Sequence, residues 1–181
     1  MTQYISLLRG INVGGNRKIK MADLKALYES LNLTDIITYI QSGNVIFKTE
    51  RDDKKYLQTM IEQAIEQKFG FNVAVDIRTV DEFIQAFKAL PFTDINIDED
   101  GSKVLISFLS QQPTDVHITA LLAVVKAPEQ LLVINDCAYS YYPNGCGRSK
   151  LTNVVIEKKL ALNATARNIK TVAKLIALAQ S

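Results

Sequence analysis

The chain carries one histidine, His117, and two cysteines, Cys137 and Cys146. That scarcity excludes several chemistries at once. One histidine and two separated cysteines cannot form a zinc site of the usual kind. His117 reads as a helix-surface residue opposite Ile118 and Leu121, which leaves no base for a nucleophile triad. The cysteines lack CxxC spacing and read as reduced thiols of a cytoplasmic protein. No apolar run approaches the ~20 residues a bilayer span needs, and Met1, Thr2, Gln3 and Tyr4 lack the charged start of a signal peptide. No membrane partner is expected. The acidic group Asp94, Asp98, Glu99 and Asp100 reads as a solvated connection rather than a cation site. Neither a metal nor a cofactor is expected. A net charge of +2 is too small to imply a polyanionic partner, so any basic signal must come from clustering.

What is present fits an ordinary globular protein. The 181 residues are 48% hydrophobic and 22% charged, enough for one large domain or two small ones. Residues 3–8 read as a strand, and Met21, Leu24, Leu27, Tyr28 and Leu31 mark one face of a helix. Residues 35–40 and 45–49 read as a hairpin around Gly43 and Asn44. A helix follows with Tyr56, Leu57, Met60, Ile61, Ala64 and Ile65 aligned, capped by Gly70, and then a strand over 72–78. Thr79 and Glu82 form a capping box before a short helix that Pro91 stops.

The order then repeats: a strand over 103–109, a helix after Thr114, a hairpin over 130–134 and 138–142, and helices over 149–160 and 168–179. Thr165 reads as the N-cap of the last helix, with Ala166, Arg167 and Asn168 in its first turn. The expected architecture is α+β, with two ferredoxin-like halves of βαββα type whose antiparallel sheets are covered by helices. Residues 1–92 form the first half and 103–181 the second, which carries a further helix in place of a last strand. The acidic stretch 93–102 connects them.

Three strings occur together: LLRGINVGGNRKIKMADLKALYESL near the start, YIQSGNVIF in the first hairpin, and RSKLTNVVIEKKLALNATARNIKTVAKL near the end. With these the chain resembles the bacterial family known as domain of unknown function 1697, from Tyr4 to Leu175. The resemblance implies a stand-alone cytoplasmic α+β protein with two ferredoxin-like halves, and it implies no activity. Two positions depart from the family pattern. Ile169 stands where the family usually has tryptophan, and Ala161 where it often has glycine.

The run RGINVGGNRK at residues 9–18 mixes three glycines, two asparagines and three cations. It satisfies neither the P-loop pattern nor the dinucleotide fingerprint. Glycine turns that leave N–H groups open, beside guanidinium and amide donors, still make an anion cradle. From 143 to 170 there are six cations and one acid, Glu157. An arginine in a helix's first turn would oppose the dipole unless an anion sits there. The candidate ligand-binding residues are therefore Arg9, Gly10, Asn12, Gly14, Gly15, Asn16, Arg17, Ser42 and Asn44 in the first half. In the second they are Arg148, Lys150, Asn153, Thr165, Arg167 and Asn168. No catalytic residue can be named.

Tyr139, Tyr141 and Tyr142 share one strand, and an exposed pair of them would suit stacking on a base or sugar. Cys146, between two glycines and near Arg148, could have a lowered thiol pKa. The expected function is binding of a phosphate-bearing or other anionic ligand, a nucleotide or a nucleic acid, between these loops. One alternative is an enzyme on an anionic small molecule with Lys150 or Glu157 moving protons; another is a protein-interaction module. The oligomeric state is not readable.

Overall fold

The computed structural model describes residues 1–181 and forms two compact units. The first comprises Met1–Ile84 with Leu175–Ser181, the second Gln85–Lys174.

The first unit runs β1 (Thr2–Leu8), α1 (Met21–Ser30), β2 (Thr34–Tyr39), β3 (Asn44–Thr49), α2 (Lys54–Phe69) and β4 (Val75–Thr79). Its sheet has the order β2-β3-β1-β4 with every pair antiparallel, the ferredoxin-like arrangement. Strand alternation puts Tyr4, Ser6 and Leu8 of β1 on one face. Leu24, Leu27 and Tyr28 of α1, with Leu57, Ile61 and Ile65 of α2, are buried in the same core as Tyr4, Leu8, Phe47 and Ile77. Phe47 lies 5.7 Å from the Tyr4 ring and 5.6 Å from Tyr28. The Tyr28 hydroxyl and Ser6 Oγ are 2.8 Å apart inside this core, and burial pushes the Tyr28 phenol well above its ordinary value. Asp53 caps α2 by accepting from Tyr56 N at 2.9 Å, and Gly70 ends it.

α3 (Val80–Lys88) follows β4 at once, behind the expected capping box. Thr79 Oγ1 accepts from Glu82 N at 3.2 Å, and a Glu82 oxygen accepts from Thr79 N at 2.7 Å. Segment 93–102 lies inside the second unit. Its one-turn helix α4 (Ile97–Asp100) is capped by Asn96, Asp100 pairs with Lys103 at 3.2 Å, and Lys170 donates to the Asp98 carbonyl.

The second unit continues β5 (Val104–Leu109), α5 (Asp115–Leu122), β6 (Gln130–Ile134), β7 (Cys137–Tyr141), α6 (Asn153–Leu160), β8 (Ala164–Asn168) and the start of α7 (Ile169–Ala179), which from Leu175 belongs to the first unit. Its sheet order is β6-β7-β5-β8, again antiparallel throughout. This corrects the expected βαββα form: the last strand is present, and the second half is a full βαββαβ. Ala164, Thr165 and Ala166 hid it, because a strand with one β-branched residue has almost no β-propensity signal. Thr165 is accordingly no helix cap. It is buried opposite Phe108, and Arg167 stands opposite Ile106. The cap of α7 is Asn168, whose Oδ1 accepts from Thr171 N at 2.9 Å. A 3-10 turn (Cys146–Arg148) precedes α6, which begins only after its cap Thr152.

The two units repeat individual devices as well as element order. Glu62 of α2 accepts from Val75 N, the first amide of β4, at 2.9 Å. Glu157 of α6 accepts from Ala164 N, the first amide of β8, at 2.7 Å. Ile5 pairs with Arg78 across β1 and β4, and Ile106 with Arg167 across β5 and β8.

Candidate functional site

Residues 9–20 leave β1 and return to α1 as a projecting hairpin finger. Asn12 N donates to the Arg17 carbonyl at 3.1 Å, and Asn16 N to the Val13 carbonyl at 3.0 Å. Gly14 and Gly15 occupy the two turn positions with φ of 58° and 77°. A hairpin turn with positive φ at both central residues is open to glycine at no steric cost, which explains the pair. The tip is in solvent: Gly14, Gly15, Asn16 and Arg17 are exposed, and Val13 is 66% exposed.

One side chain closes the finger's base. Asn12 Oδ1 accepts from Ile19 N at 2.9 Å, while Nδ2 donates to the Ile19 carbonyl at 3.0 Å and to the Gln41 carbonyl at 2.8 Å. The β2–β3 turn packs against the same base. Leu8 N donates to the Gly43 carbonyl at 2.8 Å, and a Cβ on Gly43 would lie 2.6 Å from Ile11 Cδ1. Asn44 is fully buried, with Nδ2 donating to the Tyr39 carbonyl at 2.8 Å and to Ser42 Oγ at 3.1 Å.

The first two sequence strings therefore meet in space, and all nine candidates of the first half belong to one assembly. Their roles divide. The Asn12 and Asn44 amides are spent on backbone carbonyls, and the glycines shape the turn. Arg9 is half-buried, its N–H donating to the Ala74 carbonyl at 3.0 Å. Arg17 folds back over Gly10, its guanidinium 3.6 Å from where a Cβ would stand.

Beneath the finger is a groove of about 610 Å³, within the usual range for small-molecule sites. Lys18, Lys20, Met21, Asp23, Gln41 and Phe69 line it. α1 starts on this wall after Lys20, which offers no side-chain cap, so the first amide N–H groups of the helix are open. Phe69 stacks on Phe71 with centroids 6.3 Å apart. Lys68 lies 5.7 Å over the Phe69 ring and donates to the Asp23 carbonyl at 3.1 Å.

Lys20, Met21 and Phe69 escaped the sequence reading. The available signal was the pair of lysines flanking a helix start that has no Ser, Thr, Asp or Asn cap. Another cavity of the first unit, about 460 Å³ beside β2, has Lys48 already bonded to Asp35 at 2.7 Å.

The second-unit candidates are largely absorbed by the fold. Asn153 Nδ2 donates to the Ala164 carbonyl at 2.8 Å, while its buried Oδ1 has no hydrogen-bond partner. Thr165 is buried in β8, Asn168 caps α7, and a guanidinium nitrogen of the half-buried Arg167 donates to the Ala166 carbonyl at 2.9 Å. Arg148 and Lys150 are exposed on the segment before α6. Glu157 is committed to Ala164 N.

No exposed tyrosine pair exists. Tyr139 is 1% exposed and donates to the Ala86 carbonyl at 2.8 Å, and its phenol is pushed well above its ordinary value, chiefly by burial. Tyr142 is buried and donates to the Leu151 carbonyl at 2.9 Å, while the half-buried Tyr141 lies 5.8 Å from Phe92. Cys137 is buried, Cys146 exposed, and both are free thiols. No group of three or more His, Cys, Asp or Glu side chains is placed to hold a metal ion.

The family model described as protein of unknown function (DUF1697) matches residues 1–139. A solved structure of a conserved bacterial protein from Streptococcus pneumoniae superposes with a TM-score of 0.74 at 23% identity, covering 98% of each chain. That likeness is one of fold. No curated protein matches the chain. No helix is long and apolar enough to cross a membrane.

Proposed function

The chain belongs to the DUF1697 family of proteins of unknown function, and we propose that it binds a phosphate-bearing or otherwise anionic ligand in the groove beneath the finger at residues 9–20. One observation carries this reading. The second unit makes the same strand-to-helix connection in five residues, 110–114, where the first uses twelve, 9–20. The ferredoxin-like fold does not require the finger, because the same molecule builds that fold without it. Such connections commonly take about 2–6 residues, and longer ordered ones usually serve a site.

The chemistry of the groove supports an anion. Lys18 and Lys20 supply charge, and the open N–H groups of α1 supply oriented donors with the positive end of the helix dipole behind them. Each charge-assisted hydrogen bond would contribute about 1.5–3 kcal/mol before desolvation. Asp23 offsets part of the positive charge and tempers affinity for simple anions. Of the two proton-transfer candidates of the enzyme alternative, Glu157 has one oxygen held by the β8 amide, and Lys150 is exposed.

A thermal-shift screen of phosphate, pyrophosphate, sugar phosphates and nucleotides tests the proposal. A bound ligand stabilises the native state by RT ln(1 + [L]/Kd), so at a fixed ligand excess the melting temperature rises with the logarithm of affinity. The expected result is stabilisation by at least one phosphate ester and none by neutral sugars. No stabilisation by any anion at millimolar concentration would contradict it.

A further inference from the structure

We propose that the ligand of this groove is a nucleotide, with Phe69 as the platform for its base and Lys18 and Lys20 holding its phosphates; this rests on the anion-binding reading above. The groove of about 610 Å³ is far larger than an inorganic anion needs, and its lining is mixed. The cations Lys18 and Lys20 share it with the apolar side chains of Met21 and Phe69. A ligand that meets both must carry a flat apolar body as well as a charged tail.

Phe69 is held for that task. It lies at the last position of α2, half-buried, with Phe71 stacked behind it at 6.3 Å and an interplanar angle of 28°. A ring backed by a second ring is restricted in orientation, and an aromatic face is the surface on which nucleic-acid-binding proteins stack bases. Lys68, an exposed side chain 5.7 Å over the same ring, is the group whose place a stacked base would take. Asp23 and the Gln41 side chain offer polar groups for the edge of a base. A long strand is a poorer fit: the groove is lined by two lysines and the chain's net charge is only +2, whereas strand binders extend a basic track along many phosphates.

Calorimetric titrations of the intact protein with ATP, inorganic triphosphate and a single-stranded octanucleotide test the inference. ATP should bind about ten times more tightly than triphosphate, the increment of one base stacked on an aromatic ring. Phe69→Leu, which keeps an apolar side chain on the core rim, should abolish that preference while leaving triphosphate affinity unchanged. Independently of any variant, the adenine ring protons of bound ATP should shift upfield in proton NMR of the wild type. Equal affinity for ATP and triphosphate would overturn the nucleotide assignment and leave anion binding standing. An ATP preference that survives Phe69→Leu, or adenine protons that do not shift, would equally overturn it. Tighter binding of the octanucleotide with a steep salt dependence would replace the nucleotide by a strand. Failure of both ATP and triphosphate to bind would sink the anion reading as well.

Discussion

The Asn12 side chain donates to the main-chain carbonyl of Gln41 at 2.8 Å, across 29 residues of sequence. This bond, with the two between Asn12 and Ile19, fastens the finger to the β2–β3 turn and so fixes one edge of the groove.

Asn12→Ala removes all three bonds and leaves the Ile19 amide without its acceptor. At about 0.5–1.5 kcal/mol for each net hydrogen bond, the first unit should lose about 2 kcal/mol. Urea denaturation of wild type and variant gives the value directly. An unchanged midpoint would show that the finger's base is held by something other than Asn12.

Gly43 has no room for a side chain. A Cβ there would stand 2.6 Å from Ile11 Cδ1 and 2.8 Å from Leu8 Cβ, and φ is +80°. Gly43→Ala should destabilise by about 1–3 kcal/mol through overpacking and backbone strain. Ligand affinity should fall as well, because Ile11 lies at the root of the finger. A fully stable variant would contradict the packing described here.

Asn168, and not Thr165, caps α7, while Thr165 lies in β8. Asn168→Ala should cost about 1 kcal/mol as a lost N-cap, and Asn168→Asp should restore most of it. In amide hydrogen exchange, residues 164–168 should show the alternating protection of an edge strand. Uniform helical protection from residue 166 onward would contradict β8.

The carboxyl of Glu82 is the clearest pH-dependent group near the first unit's end. Burial pushes it up, but the hydrogen bond and charge of Lys54, the Thr79 amide and Arg78 together hold it below its ordinary value of 4.5. A carboxylate whose folded pKa is depressed contributes stability above its unfolded pKa and loses it as pH falls through the folded value. Wild type should therefore exceed Glu82→Gln in stability at pH 7, and the gap should shrink below about pH 4.5. A gap that does not change with pH would assign the effect to packing.

Much of the fold was legible before the structure. Periodicity found both hairpins and the faces of α1 and α2, because Leu, Ile and Tyr recur there at helical spacing beside β-branched strands. β8 was missed because alanine and threonine carry no clear period, and only pairing with β5 makes them a strand. In the candidate site, the glycines and asparagines point to residues 9–18, which the structure builds as the finger. Spacing could not show that Asn12 and Asn44 face backbone carbonyls rather than solvent. Phe69 was invisible as a groove residue, since an apolar side chain before a helix-ending glycine reads as core in any sequence.

Lys18 and Lys20 are the side chains proposed to hold an anion under the finger. Both are exposed, so the double variant Lys18→Ala/Lys20→Ala should keep its stability within about 0.5 kcal/mol. Calorimetric titration with pyrophosphate should show affinity reduced at least tenfold in that variant, while Arg148→Ala/Lys150→Ala in the second unit binds like wild type. Equal pyrophosphate affinity in wild type and the Lys18→Ala/Lys20→Ala variant would contradict the account.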